Sequence, residues 1–330
     1  MFDILVLVVT GHEYWLHRQR RIRDGMRILI VGAGATGGYF GARLAQAGCE
    51  VTFLVRPGRA RTLQERGLRL VGLGQNERID PVHVTAGQLR EPFDVVLVTV
   101  KAAGLTAAIE DLAPAVGTNT VMIPFLNGMA HMDALGAAFG ERKVLGSAVK
   151  VVTTVTDDGD ILQLNPIATW DLGEQYGEPS ERVKQIVARL QVPGFTLQAI
   201  PDALAAMWHK WVFITTAGSI TCLLHGPVGA IAAVQGGPTF VRDVLDEAAA
   251  VSAAAGFRVP DAECAASLAF LTEPGSTFTS SLYRDVTAGL PNEAEHLVGD
   301  FCRRARELGV ATPLLELALM QLRVHEASRR

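Results

Sequence analysis

Four cysteines are all that this 330-residue chain carries, and Cys49, Cys222, Cys264 and Cys302 lie far apart with no CxxC pair among them. That scarcity speaks against a disulfide framework and a zinc site, and it fits a reduced, cytoplasmic setting. Basic charge is not in excess either. Thirty Lys and Arg against 34 Asp and Glu leave a net charge of −4, so no positive field awaits a polyanion, and nucleic acid is not the expected partner. His131, His209, His225 and His296 lack the spacing of metal ligands, so no metal is expected. Internal repeats and low-complexity tracts are missing too. A mean hydropathy of +0.24 is high without being membrane-like. These absences leave a globular protein whose natural partner is a small molecule.

Residues 1–25 stand apart from the rest. Residues 2–9 are apolar and residues 18–23 basic, the reverse of a secretory signal, and the apolar run is far shorter than the roughly 20 residues that span a bilayer. We read them as an extension, with the regular pattern starting at Met26.

What is present begins there. Residues 27–31 read Arg-Ile-Leu-Ile-Val, a short apolar run of the kind buried on both faces of a parallel sheet. Residues 39–47 have helical spacing, Gly48 closes them, and residues 51–55 form a second β-rich run, which completes a βαβ unit. Further strands are expected at residues 68–71, 94–100 and 120–125. Residues 144–155 and 161–172 read as an antiparallel addition at one edge of the same sheet. After Pro201 the texture changes: residues 203–224, 239–255, 261–271 and 294–308 carry helix-length apolar periodicity. The expected architecture is α/β, with a doubly wound parallel Rossmann sheet at residues 26–195 and an all-helical domain at residues 196–330. Such a helical half is compatible with a homodimer.

Between the first strand and helix lies Gly32-Ala33-Gly34-Ala35-Thr36-Gly37, a GxGxxG turn. Gly32 permits the tight turn, Gly34 lets the backbone approach a pyrophosphate, and Gly37 allows helix and strand to pack closely. The helix N-terminus adds free N–H groups and a positive dipole end. A dinucleotide is the expected cofactor. At the end of the second strand, where an acid would bond the ribose hydroxyls of NAD, stands Arg56. A guanidinium cannot accept from a hydroxyl but can grip a 2′-phosphate, which selects NADP(H), although a solvated surface arginine is the plainer alternative.

Lys210 is nearly alone as a charge in the apolar segment 207–224. Either it is buried and tuned for proton transfer, or it snorkels from the first turn into water; the pattern alone does not separate the two. Glu293 opens a later helix, where an acid complements the dipole. Lys101 and Asn127 follow the expected strands at residues 94–100 and 120–125, at the sheet end where open α/β folds bind ligands.

Together these landmarks resemble the ketopantoate reductases (2-dehydropantoate 2-reductases). The resemblance runs from Met26 to about Arg323, through the glycine turn with Arg56, Val98-Thr99-Val100-Lys101-Ala102, Leu126-Asn127-Gly128-Met129, Trp208-His209-Lys210-Trp211, Ser280-Ser281-Leu282 and Glu293-Ala294-Glu295. It implies a helical half like that of 6-phosphogluconate dehydrogenase and NADPH-dependent reduction of ketopantoate to pantoate, a step toward pantothenate and coenzyme A. It also implies roles for individual residues: Lys210 as proton donor, Glu293 helping to hold the substrate hydroxyl and the lysine, Ser281 and Asn127 contacting substrate, and Lys101 and Asn127 near the cofactor beside the turn residues 32–37. One departure is plain. Ile214 and Gly218 stand where family members carry two asparagines. Losing such buried polar contacts changes affinity by about 1–3 kcal/mol each, enough to redirect the enzyme to another bulky 2-oxo acid. A dinucleotide-binding sensor without catalysis is the alternative from a different class, disfavoured by the joint presence of Lys210 and Glu293.

Overall fold

In the computed structural model, which describes residues 25–328, strand β1 (Arg27–Val31) is the centre of a five-stranded parallel sheet. Four of its five residues are buried, as the unbroken apolar run requires. It pairs with β2 (Glu50–Leu54) on one side and β6 (Val95–Val98) on the other, while β5 (Val82–Val84) and β7 (Val121–Pro124) complete the order β5-β2-β1-β6-β7. Chain order reverses between β1 and β6, so a crevice opens at their carboxyl ends. The extension expected at residues 1–25 lies outside the described residues, apart from Gly25.

The remaining strands correct one expectation. Residues 68–71 and the 144–172 hairpin do not join the parallel sheet. Instead β3 (Leu68–Gly72), β4 (Gln75–Ile79), β8 (Gly146–Val155), β9 (Ile161–Gly173) and β10 (Thr196–Ala199) form a second sheet. Strand β9 is 13 residues long, so β3 and β10 share one of its edges at opposite ends while β8 runs antiparallel along the other. The reason is visible in β3 and β4, whose residues alternate between buried or half-buried and more exposed, as a sheet with one wet face demands. Strand β10 also carries the sheet beyond residue 195, and the helical part starts at Ala203.

Helix α1 (Ala35–Gln46) packs between the two sheets. Its Phe40 ring meets Phe125 from the first sheet and Trp170 from the second, at centroid distances of 5.2 and 6.0 Å. Helices α2 (Pro57–Arg66), α3 (Leu105–Leu112), α4 (Ala130–Phe139) and α5 (Glu181–Leu190) complete the N-terminal half.

The C-terminal half is helical, as expected. Its axis is α6 (Ala203–Leu223), 21 residues and about 30 Å long. Around it stand α7 (Val228–Ala233), α8 (Gly237–Ala254), α9 (Asp261–Leu271), α10 (Ser281–Thr287), α11 (Asp300–Glu307) and α12 (Pro313–Ala327). A helix enclosed this way is apolar all round, which explains the lack of a polar face in the sequence. The element before α11 differs from expectation: Glu295–Gly299 is a π-helical turn inside the expected 294–308 helix. No helix among the described residues is long and apolar enough to cross a membrane.

Candidate active site

At the glycine turn three positions act in three ways. Gly32 leaves β1 with φ of +103°, a backbone that strains any side chain. At Gly37 space decides: a Cβ would lie 2.0 Å from Thr99 Oγ1 and 2.5 Å from the Gly32 carbonyl oxygen. The Thr99 hydroxyl is held 2.9 Å from the carbonyl oxygens of Val31 and Gly32, so it cannot retreat. Over Gly34 the reverse holds, with nothing within 4 Å of where a Cβ would be. Helix α1 follows directly, with no side-chain cap and no acid in its first turn. Its first N–H groups and positive dipole end face no competing anion of their own, and a pyrophosphate fits that open cradle.

Two arginines flank the turn. Arg59, which the sequence reading passes over, donates from Nε to the Ala33 carbonyl at 3.1 Å and from Nη1 to the Gly159 carbonyl at 2.8 Å, tying the turn to the β8–β9 hairpin. Arg56 is exposed at the N-cap of α2. Its Nη2 comes within 3.3 Å of where a Cβ on Gly104 would lie, so the guanidinium overhangs the loop after β6. That loop also carries Lys101, whose Nζ pairs with Asp285 of α10 at 3.0 Å. The next residue, Ala102, donates its backbone N–H to Glu293 Oε1 at 3.0 Å. Both contacts join the parallel-sheet half to the helical half.

Between the halves is a narrow cleft whose walls include Asn127, Ser147, Met207, Lys210, Trp211 and Ile214. Asn127 comes from the turn after β7, Ser147 from β8 and the others from α6. Lys210 therefore points into the cleft and not into open water. Its Nζ donates to the Val149 carbonyl at 2.6 Å. Strand β8 pairs only with β9, so its other edge needs partners. Met207 Sδ takes the Ser147 N–H at 3.3 Å, and Lys210 takes the Val149 carbonyl. Burial pushes the Lys210 pKa down to about 8 and nearby Lys150 adds to the effect, while Glu293 and Asp171 oppose it.

The turn bearing Asn127 is braced from the π-helical element. His296 donates from Nε2 to the Asn127 carbonyl at 2.6 Å, which fixes the tautomer of that ring. His131 lies close by, wholly buried, and burial followed by the charges of its neighbours pushes its pKa down to about 3, so the ring is neutral at physiological pH. The brace is a contact between residues 169 apart, with no local sequence signal.

The geometry thus brings Asn127 and Lys210 to one cavity. Glu293 lies within electrostatic reach of the lysine, yet its carboxylate bonds to the Ala102 backbone and forms no ion pair with Lys210. Ser281 is not on the cavity wall. It is the exposed first residue of α10, while Ser280 is the buried one, capping that helix and bonding to Thr221. Ile214 faces the cleft, and Gly218 accommodates Leu282, which would lie 3.2 Å from a Cβ there.

Comparison with known proteins is consistent along the chain. The family model for ketopantoate reductase PanE/ApbA matches residues 28–174, and that for its C-terminal part matches residues 202–326. An uncharacterized oxidoreductase of Bacillus subtilis, YkpB, is 33% identical over 306 residues, covering 92% of this chain and 100% of its own. A PanE/ApbA family ketopantoate reductase from Ralstonia eutropha superposes with a TM-score of 0.82 at 25% identity, over 92% of this chain and 99% of its own. D-mandelate dehydrogenase, solved with NADH and anilino(oxo)acetate, has the same fold at a TM-score of 0.82 and 19% identity, over 92% and 99% of the two chains.

Proposed function

We propose that this chain, which belongs to the ketopantoate reductase (PanE/ApbA) family, is an NADPH-dependent reductase that converts 2-dehydropantoate to pantoate. The observation that carries the reading is the placement of Lys210, an ammonium with its pKa lowered to about 8, on the cleft shared with Asn127. At neutral pH Lys210 is charged, yet it gives up a proton more readily than an ordinary lysine. One of its three N–H bonds is taken by the Val149 carbonyl, so two remain for a substrate oxygen.

Residues 32–37 would hold the pyrophosphate, and Arg56 the 2′-phosphate. When bound, the reduced nicotinamide supplies a hydride to the carbonyl carbon. Lys210 then stabilises the developing negative charge on the carbonyl oxygen and delivers a proton to it from Nζ. Asn127, its backbone fixed by His296, positions the substrate head group beside that ammonium. Glu293 acts through its field, favouring the charged lysine.

A second reading is favoured by Ile214. Its apolar side chain on the cleft wall offers no hydrogen bond to a polar substrate arm, which suits a bulkier apolar 2-oxo acid. The test is a steady-state panel of 2-oxo acids with NADPH and NADH, followed by loss of coenzyme absorbance. Turnover with ketopantoate supports the first reading, turnover only with other oxo acids supports the second, and inertness toward the whole panel contradicts both.

A further inference from the structure

One cavity-wall hydroxyl has no structural employment. Of the residues lining the cleft, Ser147 alone carries a buried side-chain polar atom without a hydrogen-bond partner. The residue is 3% exposed, and its Oγ bonds to nothing although its own backbone N–H is satisfied by Met207 Sδ. Burying a donor unmet is unfavourable, and such groups are kept where something else completes them. Thr215 and Ser219 also have unpartnered hydroxyls, but neither lines the cleft.

Register adds the second part of the argument. Ser147 and Val149 are two apart on β8, so their backbone groups point to the same edge, roughly 7 Å apart along the strand, where the Ser147 N–H meets Met207 and the Val149 carbonyl meets Lys210. The Val149 carbonyl is where the Lys210 ammonium rests. One strand edge therefore holds the cationic acid and, one pleat repeat away in the same cleft, the residue whose hydroxyl is unused. We infer that Ser147 Oγ donates a hydrogen bond to the carboxylate of a 2-oxo acid whose carbonyl oxygen meets Lys210. This rests on the reductase reading. Ser147 keeps its proton throughout: a hydride reaches the carbonyl carbon, Lys210 protonates the oxygen, and NADP and a 2-hydroxy acid leave.

A contact to the carboxylate is the same before and during hydride transfer, so it acts on binding more than on chemistry. Ser147→Ala is expected to raise KM for the oxo acid about tenfold, with kcat within about twofold and KM for NADPH unmoved. Ser147→Thr, which keeps the hydroxyl, is expected to retain the wild-type KM. If the alanine variant does not fold, Ser147→Cys, with a far weaker donor in similar volume, is expected to raise KM in the same selective way. An active wild type with an unchanged oxo-acid KM in Ser147→Ala, or in the cysteine variant used in its place, overturns this assignment alone, as does an equal rise in KM for NADPH. A wild type inert to every oxo acid overturns the reductase reading and this assignment with it.

Discussion

The Nζ of Lys210 donates to the carbonyl oxygen of Val149 at 2.6 Å, so the ammonium carried by the central helix is lodged on the open edge of the second sheet. The same bond caps an edge strand and aims the ammonium into the cleft. A lysine placed so is surrounded by protein, and that burial is the main cause of its lowered pKa.

Reduction needs the protonated lysine. As pH rises through about 8, the value to which burial pushes Lys210, the fraction able to donate falls tenfold per unit. The pH profile of kcat/KM for the oxo acid in the reductive direction is therefore expected to decline on the alkaline side with an apparent pKa near 8. A flat profile up to the ordinary lysine range contradicts the assignment.

The same burial acts against stability. The folded chain holds the Lys210 proton less tightly than the unfolded chain does, so the penalty is fully present below about pH 8 and is relieved as pH rises toward 10.5. Lys210→Met keeps the length of the side chain and removes the charge. Its melting temperature at pH 7 is expected to exceed the wild-type value, with the gain shrinking above pH 8. Thermal unfolding at pH 7 and pH 9.5 checks this.

Arg56 overhangs the loop after β6 at the crevice. Arg56→Ala is expected to raise the NADPH KM about 10- to 100-fold while barely changing that for NADH, as removing a charge-assisted phosphate contact should. Equal effects on the two coenzymes contradict a 2′-phosphate contact.

Gly37 has no room for a methyl group. Because the obstructing atoms are the Gly32 carbonyl and a Thr99 hydroxyl bonded in place, Gly37→Ala is expected to cost about 1–3 kcal/mol of stability and to abolish coenzyme binding. Denaturant unfolding and coenzyme titration measure the two effects separately. Gly34→Ala, where a Cβ meets nothing, is expected to fold normally.

Much of the fold was legible because its signals are local. The run at 27–31 and the glycines that follow mark a strand, a turn and a helix within about 20 residues, while the isolation of Lys210 in an apolar segment singles that residue out without deciding between burial and snorkelling. The second sheet was not legible: β3 meets β9 across some 90 residues, and which sheet a strand joins is decided by such distant pairing. The braces of the candidate site were hidden for the same reason. Arg59 on Ala33, His296 on Asn127 and Glu293 on Ala102 each connect distant segments through a backbone group, which leaves no mark on residue type at the receiving end.

Single-turnover mixing of NADPH-loaded Lys210→Met with the best oxo acid of the panel tests the central claim most directly. The account predicts coenzyme affinity close to wild type and hydride transfer slower by about 10²- to 10⁴-fold, the loss expected when a general acid is removed. Hydride transfer at the wild-type rate in that variant would contradict it.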